Sequence, residues 1–234
     1  PTMFLQRFDP VSSTYTYLLA CDRTKQAVLI DPVLEQRERD LALVAELGAT
    51  VRWVLDTHVH ADHVTGAAAL KASLPEAPPT AVGMACEAAG YDRPLLDGDE
   101  LPFGDEVLAV IATPGHTPGS MTFHWRDRLF TGDALLIGGC GRTDFQQGDA
   151  GQLYDAITGR LFTLPGETLV YPGHDYRGRR VSCIEEERTT NPRLAGRSRG
   201  DFIALMAALD LPRPRLIDLA VPANKQAGSL PQAV

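Results

Sequence analysis

Thr57-His58-Val59-His60-Ala61-Asp62-His63 follows directly on the apolar run Val51-Arg52-Trp53-Val54-Leu55-Asp56, and this junction decides how the chain is read. A buried strand ending in an H-x-H-x-D-H loop collects three imidazoles and a carboxylate at one strand end. That is the donor set an ion such as iron or zinc takes. Two further stretches have the same character, Thr113-Pro114-Gly115-His116-Thr117-Pro118-Gly119-Ser120 and Tyr171-Pro172-Gly173-His174-Asp175-Tyr176. Phe130-Thr131-Gly132-Asp133 lies between them. Of the six histidines only His124 stands outside, and its alternation with apolar neighbours in Met121-Thr122-Phe123-His124-Trp125 suits an ordinary strand residue. The chain reads as a metalloenzyme. Alternate residues of extended backbone face opposite ways, so the loop suits two adjacent subsites. His58 and His60 face one, Asp62 and His63 the other, and His116, Asp133 and His174 complete the set.

Outward from this loop, strand-like and helix-like stretches alternate. Residues 15–20 and 27–30 read as strands joined by a polar turn. Residues 35–47 form a helix closed by Gly48, and 66–74 a second helix after the histidine loop. Strands follow at 80–84, 106–112, 120–125 and 128–131, a helix at 151–162, a strand at 168–171 and a helix at 201–209. The later motifs sit where such strands end, a common way to build a rigid pocket from loops. Periodicity alone gives a mixed α+β chain. Two strand groups, each flanked by helices, suggest a four-layered αββα sandwich.

At 234 residues the chain buries a full core, and one domain is the natural expectation. A hydrophobic fraction of 44% with 22% charged residues excludes disordered and fibrous classes. No apolar run is long enough to span a bilayer. The first residues carry neither a signal peptide's apolar block nor a transit segment's composition, which leaves open a leader removed upstream. Cys21, Cys86, Cys140 and Cys183 are widely spaced, so reduced thiols in a cytoplasm or an organelle matrix are expected. A net charge of -8 argues against nucleic acid as a partner. The charge is uneven: residues 174–234 hold 10 Lys+Arg against 7 Asp+Glu, on an otherwise acidic body. Such a basic region suits either a small anionic substrate or a solvated surface.

The seven positions His58, His60, Asp62, His63, His116, Asp133 and His174 resemble the signature of the metallo-β-lactamase superfamily, which implies the αββα fold with the site at one edge. The segments between ligands discriminate further. Gly138-Gly139-Cys140-Gly141-Arg142-Thr143-Asp144-Phe145-Gln146-Gln147-Gly148 resembles the persulfide dioxygenase family, as do Tyr171 to Gly178, Glu185 to Leu194 and Ile217-Asp218-Leu219-Ala220-Val221-Pro222-Ala223-Asn224. The resemblance implies one non-haem Fe(II) per chain, held by His58, His116 and Asp133. That triad leaves one face of the ion open. His60, Asp62, His63 and His174 then become outer groups that hydrogen-bond to the ligands and nearby waters. The motif alone points to two metals; only the resemblance argues for one.

The implied reaction oxidises the outer sulfur of glutathione persulfide with O2 and water to sulfite and glutathione. Arg142, Tyr176 and Arg193 are the candidates for binding the glutathione part, since an arginine fork suits a carboxylate. Arg142 could instead pair internally with Asp144, and Arg193 could cap a helix or loop. Cys140 reads as structural, because the mechanism needs no thiol nucleophile. The alternative is a glyoxalase II-type hydrolase of a glutathione thioester. Against it, only 60 residues follow His174, short for the helical substrate region of those hydrolases. A metal-binding scaffold with a dead site is disfavoured by the complete ligand set. The resemblance allows a homodimer and a separate sulfurtransferase partner. Residues 1–234 are expected to form a single metallo-β-lactamase-like domain in which residues 175–234 contribute to the substrate pocket.

Overall fold

The computed structural model describes residues 3–229. Strands β1 (Met3–Asp9), β2 (Thr14–Ala20), β3 (Gln26–Ile30), β4 (Thr50–Leu55), β5 (Thr80–Gly83) and β6 (Arg93–Leu95) form one six-stranded sheet in chain order. The first three are antiparallel, whereas β3 through β6 run parallel. Parallel neighbours need crossovers. Helix α1 (Arg37–Leu47) connects β3 to β4, and α2 (Ala67–Ser73) connects β4 to β5. Gly48, left-handed at φ 62°, ends α1, and its N–H returns to the carbonyls of Ala45 and Val44.

A second sheet combines β7 (Glu100–Phe103), β8 (Glu106–Ala112), β9 (Met121–Trp125), β10 (Arg128–Gly132), β13 (Leu169–Pro172) and β14 (Ser182–Cys183), in the order β14-β13-β10-β9-β8-β7. Between β10 and β13 come the two-residue strands β11 (Leu135–Leu136) and β12 (Gly139–Cys140) and helix α3 (Ala150–Ala156), which runs on into a π-helical turn at Ile157–Leu161. Helices α4 (Ile184–Thr190), α5 (Arg199–Ala207) and α6 (Ile217–Lys225) follow.

The period of two in β2 divides the layers. Tyr15, Tyr17 and Leu19 enter the core between the sheets with Ile30, Leu55, Phe123, Trp125 and Phe130. Leu18 and Ala20 face outward to Leu43 and Val44 of α1 and Leu70 of α2. On the far side, Leu129 and Val170 pack on Leu153, Ile184 and Phe202 from the helices over the second sheet. Helices thus cover both outer faces, giving the expected αββα sandwich.

The expected helix at 35–47 opens as a 3-10 turn, Leu34–Gln36, before the α-helix proper. Strand β1 and helices α4 and α6 form where no element was anticipated. Because β8, β10 and β13 run in the same direction, the loops after them emerge at one edge. A hydrogen bond from Met121 N to Thr57 O (2.8 Å) brings the loop after β4 to the same edge, and one from Tyr15 N to Gly173 O (2.9 Å) joins the start of β2 to the loop after β13.

Candidate metal centre

His58 leaves the end of β4 with its ring chemistry set by a relay. Thr57 Oγ1 donates to Asp31 Oδ2 (2.9 Å) and therefore accepts from His58 Nδ1 (3.0 Å). The opposite nitrogen, Nε2, keeps its lone pair, is buried without a hydrogen-bond partner and lies 3.6 Å from Asp133 Oδ2. Burial, reinforced by the nearby His60, holds the His58 pKa well below its ordinary value, so the ring is neutral. His116 is oriented in the same way. Its Nδ1 donates to the Arg142 carbonyl (2.7 Å), which leaves Nε2 3.6 Å from the same Asp133 oxygen. One donor atom from each of His58, His116 and Asp133 lies within 4.8 Å of the others.

His174 does something different. Its Nδ1 donates to Asp133 Oδ1 (2.6 Å) and its Nε2 to Asp62 Oδ2 (2.7 Å), so neither nitrogen has a lone pair to give. Burial opposes a charge here, but the two carboxylates outweigh it and hold the ring pKa well above its ordinary value. The effect is reciprocal. Burial also resists ionisation of Asp133, yet His174, with His58 and His116, keeps its carboxyl ionised well below the usual range. Asp133 therefore presents one oxygen to His174 and the other to the His58 and His116 rings.

His60 Nε2 points away from this point, donating to Asp31 Oδ1 (3.0 Å) and facing Asp56 Oδ1 at 3.2 Å. His63 Nδ1 donates to Asp62 Oδ2 (2.9 Å), and Thr14 Oγ1 contacts Asp62, His63 and His174 at 3.1–3.2 Å. His60 Nδ1 and His63 Nε2 are buried without hydrogen-bond partners. Two glycines allow this density. A Cβ at Gly141 would fall 2.1 Å from the Asp133 carbonyl oxygen, and Gly132, at φ 52°, would place one 2.6 Å from Thr57 Oγ1.

The donor set fits a metal. Two imidazoles, one with an orphaned buried nitrogen, converge with an ionised carboxylate, the ligand combination of mononuclear non-haem iron sites.

His116, Asp133 and His174 lie against a cavity of about 1050 Å³ whose wall includes Arg142, Tyr176 and Arg193. Tyr176 is 78% exposed and its ring stacks along His174 with centroids 6.2 Å apart. Arg193 Nη1 donates to the Cys140 carbonyl (2.8 Å). Arg142 clasps Asp144 through Nε (2.7 Å) and Nη2 (2.8 Å), and Nη1 donates to Pro212 O (2.6 Å). The internal pair with Asp144 therefore forms, and it ties down the segment that carries Leu211 and Pro212. Cys140 is buried against Met206 and Arg193, and burial raises its thiol pKa. Sequence reasoning missed Thr14, Asp31 and Gln146, which meet the histidine loop only in space, and Asp56, which directly precedes that loop but faces His60 only through the fold. It also missed Arg177 and Arg215 on the cavity wall; Arg177 lies in the Tyr171 to Gly178 segment, and the only signal for Arg215 was the basic C-terminal composition.

The metallo-beta-lactamase superfamily model matches residues 9–174. The chain is 50% identical over 230 residues to the mitochondrial persulfide dioxygenase ETHE1 of Homo sapiens, covering 97% of this chain and 89% of that protein. The crystal structure of ETHE1 from Myxococcus xanthus superposes with a TM-score of 0.92 at 55% identity, over 97% of this chain and 100% of that one. The chain belongs to the persulfide dioxygenase family of the metallo-β-lactamase superfamily. A hydroxyacylglutathione hydrolase of Rhodospirillum rubrum is 37% identical over 177 residues, covering 75% of this chain and 67% of that protein. That similarity is weaker and shorter, so the hydrolase alternative has less support than the dioxygenase reading. Among the described residues no helix is long and apolar enough to cross a membrane, and all four cysteines are free thiols.

Proposed function

We propose that the protein is an iron-dependent dioxygenase that oxidises the sulfane sulfur of glutathione persulfide with O2 and water, releasing sulfite and glutathione. One observation carries the single-metal form of this reading. Both nitrogens of His174 are spent on Asp62 and Asp133, so His174 could join a second ion at the neighbouring His60, Asp62 and His63 group only by breaking the buried bridge that fixes Asp133. His58, His116 and Asp133 would hold the iron. Bound there, Fe(II) would supply electrons for O2 activation and an open face for a sulfur anion.

The chain's own residues do the rest. Asp133 stays ionised because His174 faces it, and the Thr57 and Arg142 acceptors keep the lone pairs of His58 and His116 directed inward. Leu136, Ile137, Phe145 and Leu211 line the cavity with apolar surface that displaces water from the reacting sulfur. Arg193 and Tyr176 on the cavity wall would bind the glutathione part, joined by Arg177 and Arg215, neither of which has an ion-pair partner among the described residues. Four of the five Arg142 N–H groups are already taken by Asp144, Pro212 and Leu211, so it serves the substrate chiefly by holding the wall in place. The family resemblance supports action in a cytoplasm or organelle matrix, as a homodimer, with a sulfurtransferase as supplier of persulfide.

The test is O2 uptake by iron-loaded protein given glutathione persulfide, with sulfite quantified in the same vessel. Matched uptake and sulfite, absent from zinc-loaded protein, is the expected result. No uptake despite confirmed Fe(II), with cleavage of a glutathione thioester, would replace it by the hydrolase.

A further inference from the structure

The segment Ile217 to Asn224 supplies no metal ligand, yet its last residue is fully buried under the histidine loop. Asn224 lies near the end of α6. Its Nδ2 donates to the carbonyls of His60 (2.9 Å) and His63 (2.8 Å), and its Oδ1 accepts from the Thr65 N–H (2.9 Å). Both amide hydrogens and the acceptor are thus in use. An irregular loop has no ladder to satisfy its own buried peptide groups, and one carboxamide answers three of them here. The helix itself is closely seated. Ala68 N donates to Ala227 O (2.9 Å) and Gly90 N to Lys225 O (2.9 Å), and a Cβ at Gly228 would fall 2.0 Å from the Thr65 carbonyl oxygen. Gln146 Nε2 also donates to Val59 O (2.7 Å), so a second carboxamide holds the same loop.

We propose that Asn224 is a positioning residue for the metal centre: by fixing the peptides of His60, His63 and Thr65 it sets how tightly the site holds its ion. The C-terminal helix is thereby part of the metal site although it touches no ligand side chain. The path is short. The two carbonyls bracket Asp62, which anchors His174 and through it Asp133. The His60 ring ends on Asp31, the same carboxylate that orients Thr57 and His58. A ligand set tolerates only a few tenths of an ångström of drift, so a loosened loop lowers affinity before it unfolds the chain. This inference rests on the His58–His116–Asp133 reading of the metal site.

Asn224→Asp in the full chain is the direct test, because it keeps the shape and the acceptor for Thr65 but removes the NH2 group. Asn224→Ser is the second variant should the first not fold. Co(II) is the probe, titrated against a competing chelator, with its visible absorption recorded and the Tm of the metal-free protein measured alongside. The expected result is a Kd weakened about 10- to 100-fold, the range for lost outer-sphere support, with an altered Co(II) spectrum. Ala220→Gly, which softens the same helix without touching the carboxamide, should retain the parental Kd and spectrum. Parental Kd and spectrum in the Asn224 variants would overturn the proposal. So would an equal loss in Ala220→Gly, which would reduce Asn224 to a general staple of the fold. Failure of the site reading looks different: the parent would bind no Co(II), or would bind it equally well after His58→Ala.

Discussion

Thr57 illustrates how much of a metal ligand's behaviour is decided by the residue beside it. Its hydroxyl donates to Asp31 and accepts from His58, so the tautomer that leaves Nε2 free follows from one oxygen. Thr57→Val keeps the shape and removes that oxygen. Iron affinity, measured by chelator competition, should fall about 10- to 100-fold, as for other outer ligands; unchanged retention would mean packing alone holds the His58 ring. Arg142 makes the contrasting prediction. Lysine cannot reproduce a fork that spans Asp144 and the Pro212 carbonyl. Arg142→Lys should therefore raise KM for the persulfide several-fold through a loosened wall, with iron content intact because the backbone carbonyl that orients His116 remains. Iron loss in that variant would place the side chain in the metal site's own support. At this scale the seven His and Asp positions were legible, since imidazoles crowded into short motifs beside carboxylates are the donor pattern of a metal site. Thr14, Asp31 and Asp56 were not, because a lone Thr or Asp at a strand end carries no local mark of the ring it will meet.

At the scale of elements, α1 carries a buried cost. Asp40 is 1% exposed, with Oδ1 accepting from Arg39 Nε (3.1 Å) and Oδ2 left without a partner. Burial, only partly offset by Arg39, raises its pKa from 3.8 to about 6. The folded chain therefore keeps this proton up to about pH 6, the unfolded chain only to about pH 3.8. Between those values the fold binds more protons, so stability falls as pH rises through the window and stays lower above it. Asp40→Asn removes the dependence. Its stability relative to the parent should grow from pH 4 to pH 7.5 by up to roughly 3 kcal/mol, at 1.36 kcal/mol per pKa unit. Urea unfolding of both proteins at each pH measures it, and a constant difference would show that Asp40 does not hold its proton in the fold. Helix α1 was readable from its apolar spacing and Gly48. Helix α6 was not, since Pro222 inside it reads as a breaker. Helix α4, Ile-Glu-Glu-Glu-Arg-Thr-Thr, has one apolar anchor and no period to detect. Strand β1 escaped because most of its residues are only half-buried, which blurs the alternation.

On the scale of the whole molecule, two distributions of charge oppose each other. A net charge of -8 repels an anionic persulfide, whereas the basic C-terminal region attracts it. The sequence displayed the asymmetry but not the convergence of Arg177, Arg193 and Arg215 on one cavity, which depends on how the last segment folds back over the second sheet. The structure also shows where nearby acids spend their charge: Asp144 on Arg142, Asp175 on Arg179 and Asp218 on Arg213. Arg177 and Arg215 are left to set the local sign. Field lines near a cavity are governed by such close charges, and the distant acidic body acts only within a Debye length. Raising ionic strength from about 0.01 M to about 1 M shortens that length from about 30 Å to about 3 Å. If the cavity arginines govern capture, kcat/KM should fall several-fold over this range while kcat stays constant. Arg215→Gln should flatten the slope and raise KM at low salt, with parental iron content. A kcat/KM that climbs with salt would mean the net charge dominates and the substrate reaches the iron site unassisted by these arginines.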